Sequence, residues 1–387
     1  MSLNVKLTTL GPGTVKFLLK YSKLEFMVPG PNAMCLKNLM VKTNRRQKRK
    51  GEKILDLNDV AKIIQEYLAD SPLVVLGSGA SVPYGLPTMS GLADVLRKDP
   101  LLQAEKNSAK LFSDMDSIGL EAAIDNNTLS EDAKNRIRTM TWECINEKDL
   151  KLFKDKNLED RMQSLVKLIK KIITTSSNQL TIVTTNYDRL SEYATDLYRA
   201  STVTGFEGNL FRKFDGFSEY VNNKRIAARE RVVKILKVHG SLDWFKTENE
   251  DIVSFPLQEQ IPSGYTPLIV PPGKEKYSTT HDEPYRSIIE EADKEFKKAG
   301  SFLCIGYGFN DSHIQPKLIS QIKSGGKPIV VITKKATDEC LRLVADANVK
   351  KYIILEDDGS ETRIITNNED TTVSGCIWSL DEFMEVW

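Results

Sequence analysis

The sequence predicts a doubly wound α/β fold, and three observations predict it. Short continuous apolar runs recur along the chain, helical periodicities separate most of them, and several runs end in glycine, asparagine, aspartate or histidine. Continuous apolar runs of this length suit strands buried on both faces of a parallel sheet. Polar residues just past a strand's carboxyl end lie where open α/β sheets place their ligands.

Taken in order, the expected buried parallel strands are LVVLG at 73–77, LTIVTT at 180–185, VKILKVHG at 233–240, PLIV at 267–270, SFLCIGYG at 301–308 and PIVVIT at 328–333. Leu158, Met162, Leu165, Ile169 and Ile172 recur at spacings of three and four, which marks one buried helical face. PYRSIIEEADKEFKKA at 284–299 reads as a helix opened by Pro284 and closed by lysines. Strands alternating with helices give a Rossmann-like, mostly parallel sheet. The stretch from about 90 to 178 is too long for one crossover and lacks strand patterns, so it reads as a helical insertion. A second insertion, roughly 200–231, has aromatics and charges without clear periodicity. The catalytic domain is expected over 56–348, an N-terminal basic arm over 1–55, and a C-terminal extension packed on the domain over 349–387. That extension holds one strand candidate, YIIL, and the amphipathic SLDEFMEVW.

The chain has 387 residues, 40% hydrophobic and 28% charged, a composition that excludes general disorder. No stretch has the apolar length of a membrane span, and MSLNVKLTTLGPG lacks a signal peptide's apolar region, so a cytoplasmic protein with no membrane contact is expected. Cys35, Cys144, Cys304, Cys340 and Cys376 are scattered, with no Cys-x-x-Cys pair, so neither a disulfide framework nor a zinc site is expected. Cys304, inside FLCIGYG, reads as a packed thiol. Residues 1–53 hold 12 Lys or Arg against Glu25 and Glu52, a net charge of +10, and the remainder carries −9. The excess peaks in KTNRRQKRKGEK at 42–53, which reads as a solvated linker, as a dock for an acidic partner or as a nonspecific nucleic-acid contact.

Three motifs carry the chemistry. In VVLGSGASVPYGLPTMSGLADVL at 74–96, Gly77 and Gly79 permit a tight turn after a strand, and free N–H groups there could receive a pyrophosphate. Taken alone, GSGAS reads as a purely structural strand-to-helix turn, and its context must carry the phosphate-binding reading. TIVTTNYDRLSEYA at 181–194 delivers Asn186 and Asp188 past a strand end; as local structure, Asp188 would cap a helix and Asn186 would form a turn. KVHGSLDWF at 237–245 ends another strand on His239, one of three histidines, directly before Gly240. Trp244 and Phe245 read as core, and His281 and His313 carry no role, His313 being the better outside candidate.

These motifs, in this order on three strand ends, resemble the sirtuin family. Its phosphate loop, a G-A-G-x-S turn followed by G-I-P, reads here as GSGAS with GLP at 85–87; its T-Q-N-I-D reads as TTNYD; its catalytic histidine before glycine matches His239. GYGFND at 306–311 stands where the family binds ribose and phosphate, and VVIT at 330–333 where it meets the adenosine. The resemblance covers roughly 56–348. It departs where deacylases have Asp-Phe-Arg, since this chain has Thr88, Met89 and Ser90, and it lacks the family's four zinc cysteines.

The retained part looks like the sirtuin-like NAD hydrolases of bacterial anti-phage defence. The resemblance implies NAD as substrate, cleaved to nicotinamide and ADP-ribose, with no zinc. It implies that Asn186 places the attacking water, His239 removes a proton, and Asp188 holds the nicotinamide carboxamide. Gly77, Ser78, Gly79, Ala80 and Ser81 would cradle the pyrophosphate, and Gly306, Tyr307, Asn310 and Thr333 would meet the rest of the dinucleotide. It also implies a homo-oligomer partnered by a HerA-type ATPase or, alternatively, a short Argonaute, with the basic arm as the contact. A sensor that binds NAD or ADP-ribose without turnover, and ADP-ribosyl transfer to a macromolecule, are the competing readings.

Overall fold

The computed structural model describes residues 5–9, 14–19, 25–29, 55–70, 72–175, 178–217, 230–273, 282–311 and 314–387. The basic run at 42–53, His281 and His313 lie outside the described residues. The chain divides into two compact units, Met1–Ile54 and Leu55–Trp387.

The first unit contains β1 (Val5–Thr9), β2 (Thr14–Leu19) and β3 (Glu25–Pro29), an antiparallel sheet in sequence order. Reading this stretch by its charge alone had assigned it no strands.

The second unit opens with α1 (Leu57–Tyr67), whose Asp56 and Asp59 form a reciprocal capping box, and continues into β4 (Pro72–Leu76). The long segment that follows is helical throughout, as its missing strand patterns predicted: α2 (Met89–Leu96), α3 (Pro100–Ala104), α4 (Ser108–Ser117), α5 (Leu120–Asn126), α6 (Glu131–Phe153) and α7 (Leu158–Thr175). Leu92, Leu96, Leu111, Leu120 and Ile137 close a separate small core among α2 to α6. The last helix, α7, instead buries Met162, Leu165, Ile169 and Ile172 against the main sheet and so serves as its crossover.

After β5 (Gln179–Thr184) and α8 (Leu190–Tyr198), the second insertion contributes short strands: β6 (Ser201–Val203), β7 (Phe206–Glu207) and β8 (Arg212–Phe214). Then come β9 (Val232–Lys237), β10 (Gly240–Thr247), β11 (Ile252–Ser254), β12 (Tyr265–Ile269), α9 (Tyr285–Lys298), β13 (Ser301–Ile305), α10 (Gln315–Lys323), β14 (Ile329–Thr333) and α11 (Asp338–Val344). The chain ends with β15 (Tyr352–Asp358), β16 (Glu361–Thr366), β17 (Asp370–Ser374) and α12 (Leu380–Val386).

The main sheet runs β17-β16-β15-β14-β13-β4-β5-β9-β6, with every pair parallel except the antiparallel β15–β16 and β16–β17, so that only β16 runs against the rest. Within it, β9-β5-β4-β13-β14-β15 is the 3-2-1-4-5-6 order of a doubly wound dinucleotide fold, and the order reverses between β4 and β13. Alternate residues of each strand face opposite cores. Val74, Leu76, Ile182, Ile235 and Leu303 meet α1, α7 and α12, while Leu73, Val75, Leu236, Phe302 and Cys304 meet α9, α10 and α11.

One expectation needs correction. PLIV at 267–270 is not a parallel strand of the main sheet; β12 pairs antiparallel with β10 in a second sheet, β12-β10-β11-β8-β7. The chain leaves the parallel sheet at Gly240, whose φ of +89° turns it into β10, and a four-residue apolar run carries no signal of its partner's direction. At the C-terminal end, YIIL lies in β15, the sixth strand of the parallel set, paired with β14.

Candidate functional site

The loops that leave β4, β5, β9 and β13 meet at the point where the strand order reverses. They enclose a cavity of about 200 Å3 lined by Gly77, Ser78, Ser81, Asn186, Asp188, His239, Tyr307 and Asn310, together with Leu86, Pro87, Met89, Glu121, Ile145, Thr185, Tyr187, Gly308 and Asp311. Of the residues proposed from sequence, Gly79, Ala80, Gly306 and Thr333 do not line it.

The glycine turn is built differently from a free phosphate cradle. Gly77 N–H donates to Ile305 O (3.0 Å), Gly79 N–H to Gly306 O (3.1 Å), Ala80 N–H to Gly77 O (2.9 Å) and Ser81 N–H to Ser78 O (3.1 Å). A Cβ on Gly77 would lie 2.4 Å from Gly306 O, and one on Gly306 would lie 2.3 Å from Ala80 N. These glycines let two turns from adjacent strands pack backbone against backbone. The N–H groups expected to be free are thus largely used, and Gly77 and Ser78 are what the turn presents to the cavity.

Ser81 links the two side chains delivered by β5. Its Oγ accepts from Asn186 Nδ2 (2.8 Å) and donates to Asp188 Oδ2 (2.6 Å). The second Nδ2 proton of Asn186 goes to Gly77 O (2.9 Å), so the amide presents its remaining acceptor, Oδ1, to the cavity. Asn186 N–H donates to Thr184 Oγ1 (3.0 Å), which itself donates to Leu76 O (3.0 Å), so the turn is tied to β4. Asp188 does not occupy the cap position of α8, which falls to Arg189, but its Oδ1 accepts from Leu190 N–H (3.3 Å). Burial pushes the Asp188 carboxyl above the ordinary carboxylate range, against the opposing pull of Lys237 and the Ser81 hydrogen bond.

Behind these residues lies a buried polar network. Lys237, fully buried, donates to the carbonyls of Tyr187 (3.2 Å) and Asp188, donates to Ser241 Oγ (2.9 Å) and pairs with Glu192 (2.9 Å). Arg189 binds Asp149 through its backbone N–H (2.8 Å) and Nε (2.9 Å), and Tyr193 donates to the same carboxylate (2.5 Å). Asp243 accepts from Ser241, Ser254 and Arg212; burial opposes its charge, but Lys237 and Arg212 outweigh it and hold its carboxyl below the usual range. The N–H groups of Asn186 and Arg189 and the carbonyls of Tyr187 and Asp188 are therefore fixed from behind.

His239 follows β9 and is 4% exposed. Its carbonyl accepts from Val270 N–H (2.9 Å), and a Cβ on Gly240 would strike Leu268 O at 2.0 Å, so β12 holds this turn shut. Its Nε2 lies 2.7 Å from Asp311 Oδ2, an ion-pair distance, although the oxygen sits off the hydrogen-bonding axis of the ring and leaves Nε2 without an aligned partner. Tyr307 presents a buried hydroxyl with no hydrogen-bond partner among the described residues. Buried polar groups are rarely left so, and Tyr307 is also part of the cavity lining.

Asp311, Glu121 and Lys237 were missed as site residues. Asp311 closes GYGFND at the end of β13, and Lys237 interrupts an apolar run two residues before His239; both positions were readable signals. Glu121 comes from the helical insertion, where no local pattern marks it.

Residues 180–352 match the family model of the SIR2-like domain. The match includes Asn186, Asp188, His239 and Asp311 but begins after β4 and its glycine turn. No curated protein matches. Among solved structures, the chain is similar to one described in work on the mechanism and regulation of Sir2 enzymes, at 17% identity and a TM-score of 0.44, covering 86% of this chain and 97% of that one. It is also similar to a Sir2 homolog in complex with NAD, at 14% identity and a TM-score of 0.39, covering 76% of this chain and 87% of that one. Among the described residues, no group of three His, Cys, Asp or Glu is arranged to hold a metal, and no helix is long and apolar enough to cross a membrane.

Proposed function

We propose that this chain hydrolyses the bond between nicotinamide and ribose in NAD, releasing nicotinamide and ADP-ribose. The observation that carries the reading is the convergence of Asn186, Asp188 and His239, from separate strand ends, on one cavity at the reversal of strand order. The residues present fit a dinucleotide. Tyr307 has a hydroxyl in need of a partner, Asn310 and Ser78 add polar atoms, and Leu86, Pro87 and Ile145 supply apolar wall.

Nicotinamide leaves as a neutral molecule with the electron pair of the broken bond, so no acid is needed to protonate it, and position and water activation are the protein's tasks. Asn186 offers only Oδ1, which suits an acceptor that orients a water. His239 takes the proton of the water whose oxygen bonds to the ribose carbon. Asp188 lines the cavity and can accept from the amide of a carboxamide. Gly77 and Ser78 lie on the diphosphate side, and Thr333, at the end of β14, on the adenosine side. Thr88, Met89 and Ser90 in place of the deacylase triplet favour water over an acyl-lysine as the acceptor.

The reading extends to NAD depletion in anti-phage defence, in a homo-oligomer partnered by a HerA-type ATPase or, alternatively, a short Argonaute, with the first 54 residues making the contact. It is tested by incubating the purified chain with NAD, with and without that partner. Nicotinamide and ADP-ribose in equal amounts support it. Binding without release would describe a sensor, and label retained on a macromolecule would describe a transferase. Deletion of residues 1–53 is expected to abolish co-purification with the partner; unchanged co-purification would remove the contact assignment.

A further inference from the structure

We infer that Asp311 is a positioning residue for His239: its carboxylate holds the imidazole with Nε2–H toward itself, so that Nδ1 is the basic nitrogen offered to the cavity. The inference deepens the proposed NAD cleavage and rests on that reading for its kinetic arm. It starts from the 2.7 Å separation of His239 Nε2 and Asp311 Oδ2, both on side chains more than nine-tenths buried. A buried imidazole can expose either nitrogen as the base, and the choice is set by what the other nitrogen meets. Here Nε2 meets a carboxylate, which accepts and does not donate in its ionised form, so the neutral ring carries its proton on Nε2. Among the described residues Nδ1 has no hydrogen-bond partner, and His239 lines the cavity.

The two residues come from different strand ends, His239 after β9 and Asp311 after β13, on opposite flanks of β4 and β5. Their contact therefore closes the site across the reversal of strand order. The oxygen now lies off the ring's N–H axis, and catalytic hydrogen bonds often align fully only in the substrate complex. Asp311 reaches this position because β13 ends at Ile305 and the chain passes through Gly306 (φ +56°) and Phe309 (φ +56°), which bend 306–311 back over the cavity. The aromatic pair Tyr307 and Phe309, 4.9 Å apart at their centroids, packs that bend.

The chain has three histidines, so its imidazole 15N spectrum is simple, and His239→Gln assigns the signal by its disappearance. The test uses the full chain, Asp311→Ala, and Asp311→Leu, which keeps the aspartate's shape without an acceptor. At a pH where the ring is neutral, the unaltered chain is expected to show His239 protonated on Nε2, and both variants a mixture of the two tautomers. Their nicotinamide release is expected to fall in kcat by about 10- to 100-fold, a part of what a general base contributes, with KM for NAD changed less than about threefold. An unchanged His239 tautomer in a folded variant would overturn the proposal, as would a rise in KM alone, which would make Asp311 a substrate contact. If the unaltered chain releases no nicotinamide, the NAD reading fails, and the tautomer comparison still decides the pairing.

Discussion

The two walls of the cavity are built on different principles. The wall from β4, β5 and β9 carries Ser81, Asn186 and Asp188, whose donors are used and whose backbone is fixed by Lys237, Arg189 and Asp149. The wall from β13 carries Tyr307, with an orphan hydroxyl, and Asp311, close to His239 but unaligned with it. One wall is ordered in advance, and the other keeps at Tyr307 a hydroxyl without a partner among the described residues. A site that must aim a water at one carbon benefits from the first, since orientation set before binding costs nothing at the moment of reaction. It benefits from the second because unmet partners make binding specific for a ligand that meets them.

Breaking the ordered wall should cost the most. Asp149→Ala would leave Arg189 buried without its carboxylate, and a loss of about 3–5 kcal/mol in urea unfolding is expected. A loss under about 1 kcal/mol would mean that the network does not hold the turn. Ser81→Ala removes both links of the Asn186–Ser81–Asp188 chain. Nicotinamide release is expected to fall about 10- to 100-fold and stability by about 1–3 kcal/mol; normal turnover would show that the chain does not aim these side chains.

The reserve wall predicts the opposite pattern. Tyr307→Phe deletes a buried hydroxyl that lacks a partner, so stability should rise by about 1 kcal/mol, while KM for NAD rises about three- to tenfold. A loss of stability instead would show that the hydroxyl is already satisfied.

A smaller effect separates the walls by pH. The folded chain binds the Asp188 proton more tightly than the unfolded chain does, because burial raises that carboxyl above its value of 3.8. Its contribution to stability is complete below the unfolded value and is lost as pH rises toward the higher folded one. Asp188→Asn, which cannot ionise, should therefore gain stability relative to the unaltered chain as pH rises above the unfolded carboxyl's value of 3.8. A relative loss over that rise would reverse the sign assigned to burial.

What could be read from the sequence followed from locality. The runs at 73–77, 180–185, 301–308 and 328–333 were legible because a strand covered on both faces must be apolar throughout. Asn186, Asp188 and His239 stood out because each follows such a run directly. The direction of β12 was hidden, since its partners on β10, such as Phe245 for Pro267 and Gly240 for Ile269, are distant in sequence. The glycines of GSGAS were legible as a turn, but their purpose was not: Gly306, more than two hundred residues later, is what they pack against. Lys237 and Asp311 gain meaning only once β5, β9 and β13 are side by side.

The central claim is most directly tested by nicotinamide release from the full chain, Asn186→Ala and His239→Ala, each assayed with and without the proposed ATPase partner. Release by the unaltered chain, with a fall of at least about 100-fold in both variants at unchanged melting temperature, is the predicted result. Folded variants that release nicotinamide at the unaltered rate would contradict it.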